Sequence, residues 1–375
     1  MKLKQYQFKA GQNISMEQFE QAGLVLVFGE RRLIEQQQYN SVWKECFPNA
    51  QVMFCSTAGE IFDTSVSDDT LSITAIQFEK TTVRTHLSNI SNFSCSKEAG
   101  KNIVQALKSE LLKHILVFAD GQLVNGSELV EGINEDLPQN VSVSGGLAGD
   151  DGRFQKTLVG LNENVKEGNL VSIGLYGEHI RVGHGSQGGW DSFGQDRRIT
   201  RSDANVLYEL DGQSALELYK KYLGELASEL PGSALLFPLA IKINNDSEYV
   251  VRTILSVNEA DQSMTFAGNM PAGAYARLMK ANFDRLIDAA SKAASNSGGI
   301  FQDSSPELAI LISCVGRKLV LGQRTEEEVE SVRDILGAKA CITGFYSYGE
   351  ISPLIKTPGC DLHNQTMTIT TFAES

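Results

Sequence analysis

The sequence is poor in the residues that most quickly settle a protein's class. It holds 5 histidines, 6 cysteines and 2 tryptophans in 375 residues. None of the cysteines (Cys46, Cys55, Cys95, Cys314, Cys341, Cys360) forms a C-x-x-C pair, so there is no signature for a dithiol redox centre or a zinc ribbon. In a reducing compartment they are expected as free thiols. Cys55 and Cys314, set in apolar strand-like runs, are expected in the core. No apolar run reaches the ~18–20 residues of a membrane-spanning helix. Met1 to Ser15 carries lysines but no apolar centre, which argues against a secretory signal. A cytoplasmic chain is the expectation. Positive charge is also scarce: 33 Lys and Arg face 46 Asp and Glu, for a net charge of −13. A DNA duplex presents a phosphate charge every ~1.7 Å. Neither nucleic acid nor an anionic membrane is therefore an expected partner. The nearest basic cluster, Arg197, Arg198 and Arg201, is interleaved with Asp191, Asp196 and Asp203 and reads as a solvated loop.

What is present is a repeat. Leu24 to Gly29 reads as a buried strand, Arg31 to Cys46 as helical, and Val52 to Cys55 as a second strand ending in Gly59-Glu60. Ile115 to Gly121 starts the pattern again, with a helix from Ser127 to Leu137, Ser127 as its N-cap, and a strand leading into Gly149-Asp150. Leu308 to Cys314 starts it a third time. A helix from Thr325 to Leu336 follows, with Thr325 and Glu328 as a capping box, and a strand leading into Gly349-Glu350. Further strand-like runs follow each unit: Leu71 to Glu79, Phe154 to Leu161, and Gln365 to Phe372. A helix between two strands favours parallel pairing, and the later, alternating runs suit antiparallel additions. The expected fold is α/β, of two parts, with mixed sheets, packed helices and an internal duplication of the strand-helix-strand unit.

Helices are also expected over Ser96 to Leu112 and Gly273 to Ala294. Pro231-Gly232 breaks the chain, so the domain boundary is placed near Leu223 to Gly232, giving parts 24–223 and 232–372. After it, Leu235 to Ile243, Tyr249 to Val257 and Ser263 to Ala267 read as a strand meander.

Individual motifs are weak. Gly183-His184-Gly185-Ser186-Gln187-Gly188 matches G-x-G-x-x-G in letters, but turn-like residues follow where a dinucleotide site needs a helix. His179 and His184, five apart on a strand, point to opposite faces and do not make a metal pair. His86 and His114 read as surface or strand-edge residues. His184 sits in a glycine-rich loop followed by Trp190 and Phe193. That is either an ordinary loop histidine or an axial ligand to haem, whose macrocycle supplies the in-plane donors. His363-Asn364-Gln365-Thr366 either satisfies backbone groups at a strand entry or contacts a ligand. Arg317, ending an apolar strand, needs solvent, an acidic partner such as Glu350, or an anionic ligand.

Three stretches together resemble the FIST family of prokaryotic sensory proteins. They are Ser144 to Asp150 with Phe154 and Thr157; Gly183 to Gly212; and Ser313 to Arg317 with Gly344 to Pro353 and His363 to Thr366. The resemblance runs from about Leu24 to Phe372 and covers an N-terminal and a C-terminal FIST segment. It implies a sensor that binds a small ligand, with amino acids a leading proposal, and not an enzyme. Family members are often joined to output domains. Here only Ala373, Glu374 and Ser375 follow Phe372, so action through a separate signalling protein is expected.

Stand-alone relatives include haem-binding nitric-oxide sensors (NosP-type) that regulate a partner histidine kinase. That version implies haem b, with His184 as first-choice and His363 as second-choice ligand. The amino acid version pairs Arg317 with the carboxylate and Glu350 or Asp150 with the amine. Tyr346, Tyr348 and Trp190 complete the expected ligand contacts. A third reading makes Glu60, Asp150 and Glu350 acids or bases of an enzyme, though their recurrence at matching places favours a structural turn.

Overall fold

The structure is a computed structural model that describes residues 1–37, 40–242, 249–301, 305–353 and 359–375. Its framework begins with three strands covered on both faces. Leu24–Gly29 and Leu308–Cys314 are buried at every residue, and Leu112–Ala119 at all but Lys113. Each pairs in parallel with a second strand: Gln51–Ser56, Cys341–Ser347 and Ser142–Leu147 respectively. Helices carry the crossovers, as parallel pairing requires. They are Arg31–Gln37 and Val42–Cys46 in the first unit and Gly126–Asp136 in the second. The third has Val315–Leu321 and Thr325–Leu336.

After its second strand, each unit gives a hairpin to a neighbour. Glu60–Phe62 and Ser65–Ser67 extend the sheet of the third unit. Val159–Leu161 and Asn164–Lys166 extend the first. Gly349–Pro353 and Cys360–His363 extend the second. The chain then returns home: Thr70–Gln77, Asn169–Tyr176 and Met367–Glu374 lie antiparallel to the first strands of their own units. Outer strands Lys2–Lys9, Thr82–Asn89 and Ile180–Gln187 complete three six-stranded mixed sheets of the same order. The exchanged hairpins close the three units into a ring. Phe28, Phe118 and Phe345, one from each unit, meet at its centre with ring centroids 4.8 to 6.2 Å apart.

The match extends to single residues. Gly145 and Gly344 hold φ of +153° and +159° at the same register, and a Cβ there would lie 1.8 and 1.9 Å from the facing carbonyl oxygens of Val117 and Leu311. Only glycine fits. Asp69, Gly168 and Gln365, each opening a return strand, all have φ between +56° and +75°. Glu60 and Glu350 occupy matching pairing positions, opposite Phe345 and Gly146. Asp150 does not share that position. Val159 does, and Asp150 heads an added segment before it.

In the third unit the chain makes an excursion after the outer strand. It builds a separate sheet, from Asp191–Asp203 to Tyr275–Lys280, with its own core around Leu216, Tyr219, Met264 and Phe266. Helix Phe283–Gly298 then returns to the ring.

Several local expectations change. Arg197, Arg198 and Arg201 lie on a thirteen-residue strand, Asp191–Asp203, and not in a loop; only Ile199 on it is buried, so apolar alternation is missing. The expected helix from Gly273 is a strand, Tyr275–Lys280, followed by a helix capped by Asn282. Phe154 to Leu161 is strand only over Val159–Leu161. Asn125, not Ser127, caps the second unit's helix, accepting from the amides of Ser127 and Glu128. The capping box at Thr325 does not form, because Glu328 turns inward to Arg317. Ile243, the expected end of one meander strand, and residues 38–39 of the expected first helix lie outside the described residues.

Candidate functional site

Open sheets place ligands beyond the carboxyl ends of their parallel strands. In this ring each first strand ends at one matching residue: Glu30, Asp120 or Cys314. Their amides donate to the carbonyls of Thr70, Asn169 and Thr366 at 3.0, 3.0 and 3.1 Å. Their side chains then differ. Glu30 accepts from the amides of Arg32 and Leu33, and Asp120 from those of Gln122 and Leu123, so each carboxylate caps the turn behind it. Cys314 has no carboxylate and makes no such cap.

Beyond Glu30 the space is full. Arg153 reaches both Glu30 (2.7 Å) and the fully buried Asp150, and Arg31 adds a second contact to Asp150 at 3.1 Å. Lys156 closes the network on Glu35 at 2.9 Å.

Beyond Asp120 and Cys314 lies a cavity of about 770 Å³. One wall is the ring: Gly121 to Gly126, Leu147, Cys314 to Gly316, Leu319 and Tyr348. The other belongs to the excursion: Asn205, Leu235, Thr253 to Ser256, and Thr265 to Gly268. Among the described residues, no Asp, Glu, Lys, Arg or His lines it. Four of its residues are large apolar side chains left well exposed: Leu123, Phe154, Leu255 and Leu319. Phe154 stacks on Tyr348 with centroids 4.5 Å apart, and the Tyr348 hydroxyl is held between Asp151 and the Phe154 amide. Burial pushes both the Cys314 thiol and the Tyr348 phenol upward, so both stay protonated at neutral pH. The wall offers shape, apolar surface and neutral hydrogen-bonding groups, and no ready acid–base pair.

Of the residues expected to touch a ligand, Tyr348 lines this cavity. The others lie elsewhere. Arg317 is wholly buried; Glu328 takes Nε and Nη2, and the carbonyls of Gly188 and Leu286 take the rest. Its acidic partner is thus Glu328, not Glu350. Tyr346 donates to the same Glu328. Glu350 is buried under Ser347 and Thr366, and burial raises its carboxyl to about 8. Asp150 is committed to Arg31 and Arg153. Trp190 donates to the Gln365 carbonyl at 2.8 Å. The amino acid clamp of Arg317 with Glu350 or Asp150 is therefore not assembled. Cavity residues such as Leu255 and Leu319 escaped notice because a single exposed leucine carries no signal in sequence.

His184 is on the strand Ile180–Gln187, not in a loop. Both ring nitrogens are enclosed without a partner, and burial lowers its value to about 4. Its ring packs 5.2 Å from that of His114, a fully buried residue bonded to Ser142 and Ser144 and not a surface one. On the strand's other face, a Cβ on Gly183 or Gly185 would lie 1.9 Å from a backbone oxygen of helix Phe283–Gly298. An axial histidine needs an open slot for the macrocycle. The strand is packed on both faces and the His184 ring is enclosed beside His114, and these surroundings do not fit haem. His363, half-buried opposite Glu350, does not line the cavity either. Among the described residues there is no group of three or more His, Cys, Asp or Glu that could hold a metal ion, and no helix long and apolar enough to cross a membrane.

Comparison with known proteins agrees with the resemblance in the sequence. Residues 23–213 match the FIST N domain and residues 215–353 the FIST C domain. An uncharacterised protein of Methanocaldococcus jannaschii is 23% identical over 275 residues, covering 62% of this chain and 49% of that one. The chain thus spans about half the length of the curated relative it matches. Among solved structures, a chorismatase aligns over 99% of this chain and 98% of its own, with TM-score 0.36 and 8% identity. A cyanuric acid hydrolase from A. caulinodans aligns over 99% of both chains, with TM-score 0.37 and 6% identity. Likeness at that level does not extend to activity. The two domain matches together span most of the sequence, and the chain belongs to the FIST family.

Proposed function

We propose that the cavity between the ring and the excursion is the sensory site, and that a small, largely apolar ligand bound there changes how the chain acts on a separate signalling protein. One observation carries this reading: a single cavity with an uncharged lining takes its walls from two bodies with separate cores. Its volume lies within the ~300–1,000 Å³ of small-molecule sites. A ligand touching both walls favours the arrangement in which they are close. That is a differential affinity between two states, and a coupling of ~1–3 kcal/mol suffices for a useful signal. A histidine kinase is the partner class that the stand-alone relatives suggest. Titratable carboxylates and histidines are absent from the described lining, which favours binding over turnover.

The test is a thermal-shift screen with apolar small molecules, the amino acids, and haemin followed by nitric oxide. A ligand present at 100 times its Kd stabilises by about 2.7 kcal/mol. Leu255→Asp, which sets a charge at the cavity mouth, is expected to abolish the shift while leaving the unliganded protein within about 0.5 kcal/mol. A shift that survives Leu255→Asp unchanged would place the ligand elsewhere. A haemin Soret band lost in His184→Ala would restore the haem reading.

A further inference from the structure

Directly behind the cavity wall stands a buried cation. Arg252 ends the strand Val250–Arg252, is 5% exposed, and immediately precedes Thr253, which lines the cavity. Its guanidinium lies over Gly268, another lining residue: a Cβ built there would be 2.8 Å from Nε. Glycine at 268 therefore leaves room for the arginine, which a side chain there would meet. Nη1 donates to the carbonyl of Leu362 at 2.8 Å. Weaker contacts of 3.5 Å reach the carbonyls of Val251 and Asn269. Among the described residues no carboxylate pairs with it. A buried charge without a counter-charge is costly, and proteins normally pair it. Arg317, the other buried arginine, shows the ordinary solution with Glu328. Burial pulls Arg252 below its ordinary value, while the more distant Asp361 and Glu350 pull it back. Beside it, Thr253 is 7% exposed, and its hydroxyl is buried without a hydrogen-bond partner.

We infer that the cavity ligand carries one carboxylate on an otherwise uncharged apolar body, and that this group seats at Thr253 and Gly268 against Arg252. The inference rests on reading the cavity as the ligand site and names the ligand's chemistry. Carboxylate oxygens accept from guanidinium and hydroxyl together, and charge-assisted bonds of this kind are strong where water is excluded. The lining explains the rest of the molecule. Leu123, Val124, Leu255, Phe266 and Leu319 take an aliphatic or aromatic body. Among the described residues no acidic side chain lines the cavity to receive an ammonium, so a plain monocarboxylate fits better than an amino acid.

Calorimetry at pH 7 with matched probes tests this. Hexanoate and benzoate are compared with hexanamide and benzamide, and hexanoate with 6-aminohexanoate. The full chain is expected to bind each acid at least tenfold more tightly than its amide, and to bind hexanoate better than the zwitterion. Arg252→Met, which keeps the bulk and removes the charge, is expected to bring the acid-to-amide ratio near one. Thr253→Val is expected to lower it while leaving the buried arginine in place. Amides that bind as tightly as acids would overturn the inference and leave the cavity reading standing. So would a preference for acids that survives in folded Arg252→Met. If no probe binds, both the inference and the cavity reading fall.

Discussion

Two ends of the same ring have been finished in opposite ways. Where the first unit's strand ends, Glu30, Asp150, Arg31 and Arg153 fill the space with paired charge. Where the second and third units' strands end, the lining is uncharged among the described residues and the space stays open. The backbone is alike at both places, down to the amide-to-carbonyl bond at Glu30, Asp120 and Cys314. The segment after Asp150 supplies the plug at one end; the excursion after Gln187 supplies a second wall at the other. Matching positions on a repeated fold thus divide into one that is filled with paired charge and one that is left open as a cavity.

The largest effect expected comes from the third unit, where charge is buried beneath the cavity instead of across it. Arg317→Met leaves Glu328 buried alone, and stability is expected to fall by about 3–5 kcal/mol in urea unfolding. A fall below 1 kcal/mol would mean that Glu328 simply takes a proton. Next comes pH. An unfolded histidine takes its proton near 6.5 and folded His184 near 4. Between those values the unfolded chain holds more protons, so stability is expected to decline by up to about 3 kcal/mol as pH drops through that window. Glu60 and Glu350 act in the opposite sense. Their folded values near 8 exceed the unfolded ones near 4.5, so their contribution is complete below 4.5 and lost as pH rises through 8. A His184→Phe protein that kept the full acid-side slope would remove His184 as its source. The smallest effect separates the two ends of the ring. Asp150→Asn is expected to cost about 2 kcal/mol, less than a wholly buried pair because Arg31 and Arg153 keep some contact with water. Ligand affinity should not change. A tenfold change in affinity would show that plug and cavity are coupled.

The strands at the heart of each unit were legible because burial on both faces writes a continuous apolar run, as in Leu308–Cys314. The repeat was legible for the same reason. The exchange of hairpins was not, since nothing local in Val159–Leu161 says that its partner is Gln51–Ser56, about a hundred residues back. The Tyr275–Lys280 strand was taken into a helix although Ala276 and Leu278 stand two apart; the helix signal beginning at Asn282 overran it. The site was least legible. Arg317 and Glu350 carry the functional groups a reader looks for, and the fold spends both internally. Tyr348 is legible in the sequence, and Arg252 is not, because one arginine among alternating strand residues resembles any solvent-facing one.

The closed exchange of hairpins also bears on how this molecule comes apart. Removing any one unit would expose an edge strand in its neighbour and strand its own hairpin, so the three should melt in a single step. Their pairings span long sequence separations, which makes such a ring slow to form. The excursion has a core of its own and, among the described residues, is bound by no exchanged strand. In amide hydrogen exchange it should open first, below the free energy of global unfolding. The seam between the slow body and the quick one runs through the cavity, and a molecule lodged there would be felt first as a change in how often that seam parts.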